Sequence, residues 1–263
     1  MSDILIIFGS KSDASVYEKL ASNLNEKAIS FQLRISSAHK SPEQLKEIIS
    51  QSNARIIIAG AGLSAALPGV IASQTLKPVI GLPVRGNFEG LDALLSIFQM
   101  PSGIPVLGVG VEDTVSVVTA IEKMLKLKTS ISLKRNDSKA FEKARVMLER
   151  FKVPFSVCES NCACGEEVIH LDFISLGEVK NAKAEGLTVF VPVAEKEKAV
   201  DAVKLLEVKN GLWVGLNRGD NAALAAIEIL NLNNAFKEKL ESFREELKEK
   251  IAFFDQEEKV RFG

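Results

Sequence analysis

Cysteine, histidine and long apolar runs are scarce in this chain, and each shortage closes off a class of explanation. Three cysteines in 263 residues are too few for a disulfide framework and point to a cytoplasmic protein. No apolar stretch approaches the roughly 18–20 residues that cross a bilayer. The start, Met1-Ser2-Asp3 followed at once by Ile4-Leu5-Ile6-Ile7-Phe8, is acidic and turns straight into a strand, unlike a signal peptide. Neither sign of charge is in excess: 33 basic against 34 acidic residues leave a net charge of -1. That balance excludes a broad nucleic-acid surface. Nucleic acid and membrane are therefore not expected partners. No G-x-x-x-x-G-K-[ST] loop is present. Only two histidines, His39 and His170, are on hand for proton transfer near neutral pH.

What the chain does have is alternation. Ile4–Phe8, Ala28–Ile35, Arg55–Ala59, Pro78–Pro83 and Ile104–Val109 read as short, β-branched strands. Between them Ala14–Asn25, Pro42–Ser52, Leu67–Gln74, Leu91–Gln99 and Thr114–Leu127 read as helices. Ser41-Pro42-Glu43-Gln44 supplies an N-cap serine, a first-turn proline and a glutamine that closes a capping box. Strand–helix alternation predicts an α/β fold with a doubly wound parallel sheet, whose ligands bind where loops leave the carboxyl ends of the strands.

The second half repeats this pattern faintly. Tyr17-Glu18-Lys19, Leu24 and Phe31 recur as Phe141-Glu142-Lys143, Leu148 and Phe155, all at a shift of 124 residues. Pro78–Val84 resembles Leu187–Val193, and Gly103–Gly108 resembles Gly211–Gly215. A charged helix over Phe236–Ile251 closes the chain. The expected organisation is a unit over residues 1–128 and a shorter, degenerate copy with packing helices over 129–263.

Four loops of the first unit hold the chemistry. Gly9-Ser10-Lys11-Ser12-Asp13 turns tightly into a helix whose free N–H groups attract an anion. Ser36-Ser37-Ala38-His39-Lys40-Ser41-Pro42 presents His39, suited to moving protons. Ala59-Gly60-Ala61-Gly62-Leu63-Ser64-Ala65-Ala66-Leu67-Pro68-Gly69 is small and uncharged, suited to close backbone approach or a small neutral ligand. Arg85-Gly86-Asn87-Phe88-Glu89-Gly90-Leu91-Asp92 reads as a mobile, glycine-flanked flap leading into a helix.

In order and spacing, GSKSD, SAHKSP, AGLSAALPGV, PVIGLPV and GLDALLSIFQMPSGIPV resemble the PurE family, the carboxyaminoimidazole ribonucleotide mutases and aminoimidazole ribonucleotide carboxylases. The likeness spans residues 1–111, and the family's last helices resemble Asn217–Leu230 and Phe236–Ile251. It implies a flavodoxin-like three-layer fold, here a tandem repeat with a shorter second unit. The activity implied is transfer of a carboxylate from the exocyclic nitrogen of an aminoimidazole ribonucleotide to a ring carbon, or direct addition of carbon dioxide there. No metal or other cofactor is implied. Carried over residue by residue, Ser10, Asp13, Ser37 and Lys40 hold the ribose-phosphate end. His39 shuttles the ring proton. Gly60, Ala61 and Ser64 line the carbon dioxide pocket. Family assembly implies sites between subunits, and two units per chain then imply a homotetramer.

The chain departs from the family where Ala66 replaces a second histidine and Lys40 replaces an arginine, a point charge in place of a planar fork. In the second half Ala163-Cys164 stands opposite His39-Lys40, so that half is read as scaffold. A non-catalytic ribonucleotide-binding or regulatory subunit is therefore the alternative. A carboxylase acting on another heterocycle, such as a nicotinate dinucleotide, is weakened by the GSKSD and SAHKSP matches. Mutase against direct carboxylase stays open. Cys158, Cys162 and Cys164, with His170 close behind, contain the atoms of a zinc site, but their spacing fits no standard template; half-buried thiols are the favoured reading.

Overall fold

The computed structural model describes residues 2–159 and 165–262. The first half forms β1 (Ile4–Phe8), α1 (Ala14–Glu26), β2 (Phe31–Ile35), α2 (Pro42–Gln51), β3 (Ile56–Ala61), α3 (Leu67–Ser73), β4 (Val79–Pro83), α4 (Leu91–Phe98), β5 (Leu107–Gly108) and α5 (Thr114–Leu125). The second half forms β6 (Ser130–Lys134), α6 (Lys139–Phe151), β7 (Phe155–Cys158), β8 (Val168–Ser175), β9 (Leu187–Val193), β10 (Leu212–Trp213), α7 (Gly219–Leu230) and α8 (Lys237–Phe262). Where the first half has α3 and α4, the second has only 3₁₀ turns, Leu176–Asn181 and Ala199–Glu207.

All ten strands lie in one sheet, in the order β2-β1-β3-β4-β5-β10-β9-β8-β6-β7. Every pairing is parallel except the central one, where Trp213 of β10 meets Gly108 of β5 antiparallel. The wholly parallel sheet expected from the alternation is thus corrected to a mostly parallel, mixed one. Because of that seam, the carboxyl ends of β1–β4 and those of β6–β9 lie on opposite edges.

Alternating strand residues feed two cores. Ile4, Ile6 and Phe8 pack with α1, α5, α6 and α7 on one face, while Leu5 and Ile7 pack with α2, α3 and α4 on the other. The helices thus make layers on both sides of the sheet. At the start of α7 a Cβ on Gly219 would lie 1.8 Å from the Ala140 carbonyl oxygen, so α6 and α7 cross almost backbone to backbone.

Three boundaries moved for identifiable reasons. β2 begins at Phe31, not Ala28, because Ala28 takes a left-handed φ of 54° in the turn that ends α1. β5 shrinks to two residues because Pro105 has no N–H to give and the Gly103 N–H is spent on Asn221 Oδ1 at 2.9 Å. α8 runs well past Ile251, to Phe262, carried by i,i+4 and i,i+3 pairs such as Lys259–Asp255 and Arg261–Glu258.

α7 and α8 tie the two halves together. Asn221, 1% exposed, donates from Nδ2 to the carbonyls of Pro101 at 2.9 Å and Met100 at 3.4 Å, besides accepting from Gly103. Ser102 Oγ donates to Asp220 Oδ2 at 2.5 Å. Leu240 and Phe243 of α8 sink into the core, with Phe243 edge-on to Phe151, and Leu247 packs over Gly103.

Candidate active site

Register brings the sequence-predicted residues to one edge. Phe8, the last residue of β1, lies level with Ile35 of β2 on one side and Gly60 of β3 on the other. Two further bonds continue the ladder past the strands: Gly9 N–H to Gly60 O at 3.3 Å and Ser36 N–H to Phe8 O at 3.0 Å. Ser10 and Asp13, Ser37, His39 and Lys40, and Gly60, Ala61 and Ser64 therefore leave neighbouring strand ends side by side. This is the edge where parallel α/β sheets bind ligands.

Each loop has its own local cause. Ser10 is extended (φ -151°, ψ 148°) and its Oγ accepts from Ser12 N–H at 3.1 Å, capping a 3₁₀ turn ahead of α1. Ser12 Oγ also donates to Asp13 Oδ1 at 3.0 Å. Asp13 sits at the N-cap of α1 but makes no side-chain cap bond. Among the described residues the carboxylate accepts only that Ser12 bond, which leaves most of its acceptor capacity unused.

The capping box expected at α2 does not form. Ser41 has no side-chain cap bond; its Oγ instead accepts from Ser37 N–H at 3.0 Å and lies 3.2 Å from Ser36 Oγ. Gln44 Oε1 accepts from Ser36 Oγ at 3.3 Å rather than reaching the cap. Ser37 Oγ in turn accepts from Lys40 N–H at 3.3 Å. The result is a cinched turn, with Ser36 buried and His39 and Lys40 exposed at the tip. Ser41 and Gln44, expected to cap α2, instead join Ser36 in holding the turn that carries His39. The run of hydroxyls in Ser36-Ser37 and Ser41 was the available signal.

The third loop begins inside β3. Gly60 and Ala61 are strand residues, both buried. A Cβ on Gly60 would lie 2.1 Å from the Phe8 ring, so glycine is what allows the buried Phe8 ring to lie against the end of β3. Ser64 follows with a left-handed φ of 51°, exposed beside Leu63. The expected flap is anchored at its base. Arg85 N–H donates to Glu112 Oε1 at 3.1 Å, and Glu112 N–H to Pro83 O at 2.8 Å. Phe88, Glu89 and Gly90 then turn with positive φ. Phe88 at 79% and Leu63 at 71% exposure leave two apolar tips on adjacent loops of the edge.

At the corresponding edge of the second half, the described side chains bond to one another and to backbone. Lys134 Nζ pairs with Asp172 at 2.9 Å, and Asn217 exchanges two bonds with Ala194, at 3.1 and 2.8 Å. Cys158 Sγ lies 3.2 Å from Ser132 Oγ. His170 is half-buried, and burial lowers its pKa while Glu185 and Asp172 pull the other way. Cys162 and Cys164 lie outside the described residues; among the described residues no cluster of metal-ligand side chains occurs.

Among the described residues no helix is long and apolar enough to cross a membrane.

The AIR carboxylase family profile matches residues 3–132. An N5-carboxyaminoimidazole ribonucleotide mutase of Methanocaldococcus jannaschii is 52% identical over 109 residues, 41% of this chain and 69% of its own length. A protein of the same name from Pyrococcus abyssi is 41% identical over 132 residues, 49% of this chain and 76% of its own. Among solved structures, PurE of Treponema denticola is 33% identical, covering 47% of this chain and 80% of its own, with a TM-score of 0.41. Through its first half, this chain belongs to the AIR carboxylase family.

Proposed function

We propose that the chain is an N5-carboxyaminoimidazole ribonucleotide mutase of purine biosynthesis. The observation that carries this reading is the convergence of the Ser10–Asp13, Ser37–Lys40 and Gly60–Ser64 loops on one strand edge, within the half of the chain shared with enzymes of that name. Ser10, Asp13, Ser37 and Lys40 hold the ribose phosphate. The N–carboxylate bond then breaks, its electron pair stays on nitrogen, and His39 gives nitrogen a proton. Carbon dioxide waits against Gly60, Ala61 and Ser64, where no strong donor or charge competes. The ring carbon attacks it, and the proton of that carbon returns to His39. One imidazole serves both directions.

Steady-state turnover of the carboxyamino ribonucleotide, run beside aminoimidazole ribonucleotide with bicarbonate, tests the reading. His39→Asn should abolish turnover and leave substrate affinity within about a few-fold, as when only a transition-state role is lost. A variant with near wild-type rate would remove His39 from the mechanism. Ala66, which stands where the family has its second histidine, favours the other reading, a ribonucleotide-binding regulatory subunit. Tight binding with no turnover of either substrate would select it.

The second half reads as a degenerate copy of the first, a flavodoxin-like unit that lost its active edge. In support, β7-β6-β8-β9-β10 follows the same order as β2-β1-β3-β4-β5, the 2-1-3-4-5 order of flavodoxin-like sheets. The 124-residue shift also aligns Phe31 with Phe155, the first residues of β2 and β7. Four such chains would then build a closed shell of eight units. The exposed Leu63 and Phe88 supply apolar surface at the site for a neighbour to cover. Sedimentation equilibrium should give four times the 28.6 kDa of one chain; a monomer at micromolar concentration would end that proposal.

A further inference from the structure

A large cleft away from His39 opens at the other end of the first half's strands. It measures about 960 Å³ and lies between the amino ends of β3 and β4 and the segment from Glu228 to Lys248. The active edge is at the carboxyl ends of the same strands, roughly 17–20 Å away for a strand of this length.

Its walls are cationic. Lys46 of α2, Arg55 ahead of β3, Lys77 ahead of β4, and Lys237, Arg244 and Lys248 along one side of α8 all line it. Three carboxylates, Glu228, Glu241 and Glu245, stand among them. Glu241 and Glu245 answer Lys237 at 3.9 Å and Lys248 at 2.8 Å, in pairs that are more than half exposed and so hold little. Glu228 is 3% exposed, and burial pushes its pKa up to about 8 against the pull of Arg244. Near neutral pH it is therefore a weak counter-charge for the guanidinium 3.1 Å away.

Three of the cations have too few partners. Lys77 is half-buried, its pKa lowered by that burial, and its ammonium donates to the neutral Ser52 carbonyl at 2.7 Å. Arg244 keeps a buried Nη1 with no acceptor among the described residues. Lys46 makes no ion pair among them. Arg55 leans on Asp3, just ahead of β1, at 3.9 Å, in a pair that is also exposed. Six cations therefore face two exposed, weakly held carboxylates, a largely protonated Glu228 and the Asp3 at the rim, which leaves a net positive potential in a concave site of ligand size.

We propose that this cleft binds a polyanion of nucleotide size through its phosphate groups, with lysines as point charges and Arg244 as the directional donor. The site is distinct from the ribose-phosphate subsite of the proposed reaction, and its occupancy does not depend on that reaction being correct.

Calorimetric titration of the 263-residue chain with ADP, and separately with inorganic pyrophosphate, tests it. The expected result is saturable, salt-sensitive uptake at one site per chain that survives Lys40→Ala, the change that removes the cation assigned to the substrate phosphate. Lys46→Glu with Lys237→Glu should weaken this uptake by at least about tenfold while turnover without the probe stays near wild type. Tighter binding of ADP than of pyrophosphate would show that a nucleoside is read; equal binding would show that phosphate alone is. No saturable uptake of either probe overturns the proposal. So does uptake that vanishes in Lys40→Ala and ignores the double charge reversal.

Discussion

Replacing Asn221 with alanine tests whether the last third of the chain holds the first half together. The Asn221 side chain closes three bonds across the halves: it accepts from Gly103 N–H at 2.9 Å and donates to Pro101 O at 2.9 Å and Met100 O at 3.4 Å. The 3.4 Å bond is long and adds little. The other two leave a buried N–H and a carbonyl unpaired when the amide is removed, at about 1–3 kcal/mol each. Their sum is about 3 kcal/mol if water reaches one of them, and a shift of that size lowers Tm by about 6–12 °C in a chain this long. Asn221→Asp is the sharper variant. It keeps the acceptor for Gly103 and sets a carboxylate oxygen against two carbonyls, so it should cost at least as much. The readout is already built in: Trp213 is the only tryptophan and is fully buried in β10 at the seam. Urea unfolding followed by its fluorescence should move to lower midpoint with unchanged m. A loss below about 1 kcal/mol for both variants would mean that these bonds are replaced by water at no cost, and the clasp would be refuted.

Glu228 keeps its proton in the fold up to about pH 8 and gives it up near 4.5 when unfolded, so the unfolded state binds fewer protons between those values. Its contribution to stability is then fully present below pH 4.5 and lost as pH rises to 8, on the order of a few kcal/mol. Glu228→Gln should flatten the fall of Tm between pH 5 and 8; parallel melting curves would contradict it. Gly219→Ala should lower Tm and loosen α7, since its Cβ would meet the Ala140 carbonyl at 1.8 Å and crowding of this kind costs about 1–3 kcal/mol. Unchanged hydrogen-exchange protection across Ala222–Leu230 would show that the helices part without strain.

Much of the framework was legible because local pattern and global fold agree over the first half. β1, β3 and β4 are short apolar runs set between helices with apolar stripes, and both cores follow from that periodicity. The seam was not legible. β5 and β10 have two residues each, too few for any period, and their antiparallel meeting depends on a partner about a hundred residues away. At the candidate edge, motif order singled out His39, Lys40 and Ser10, which strand register brings side by side. The turn that carries His39 was misread because Ser41 and Gln44 suit a helix cap as well as they suit the Ser36 network, and only tertiary placement decides between the two. The cationic cleft left no trace in the sequence, since Lys46 and Lys237 are ordinary surface residues until α8 returns to the first half.

The seam between β5 and β10 is small, a single register pair joining two five-stranded sheets. Two separate molecules meeting through so little would part on dilution. Here both edges belong to one chain, so their encounter has an effective concentration set by the tether and not by the protein in the tube. The ten-stranded sheet therefore persists at any concentration and exposes two outer edges, β2 and β7, where two separate sheets would expose four. A short strand pair that would be a poor interface between molecules is sufficient inside one, and it halves the number of edges open to unwanted strand pairing.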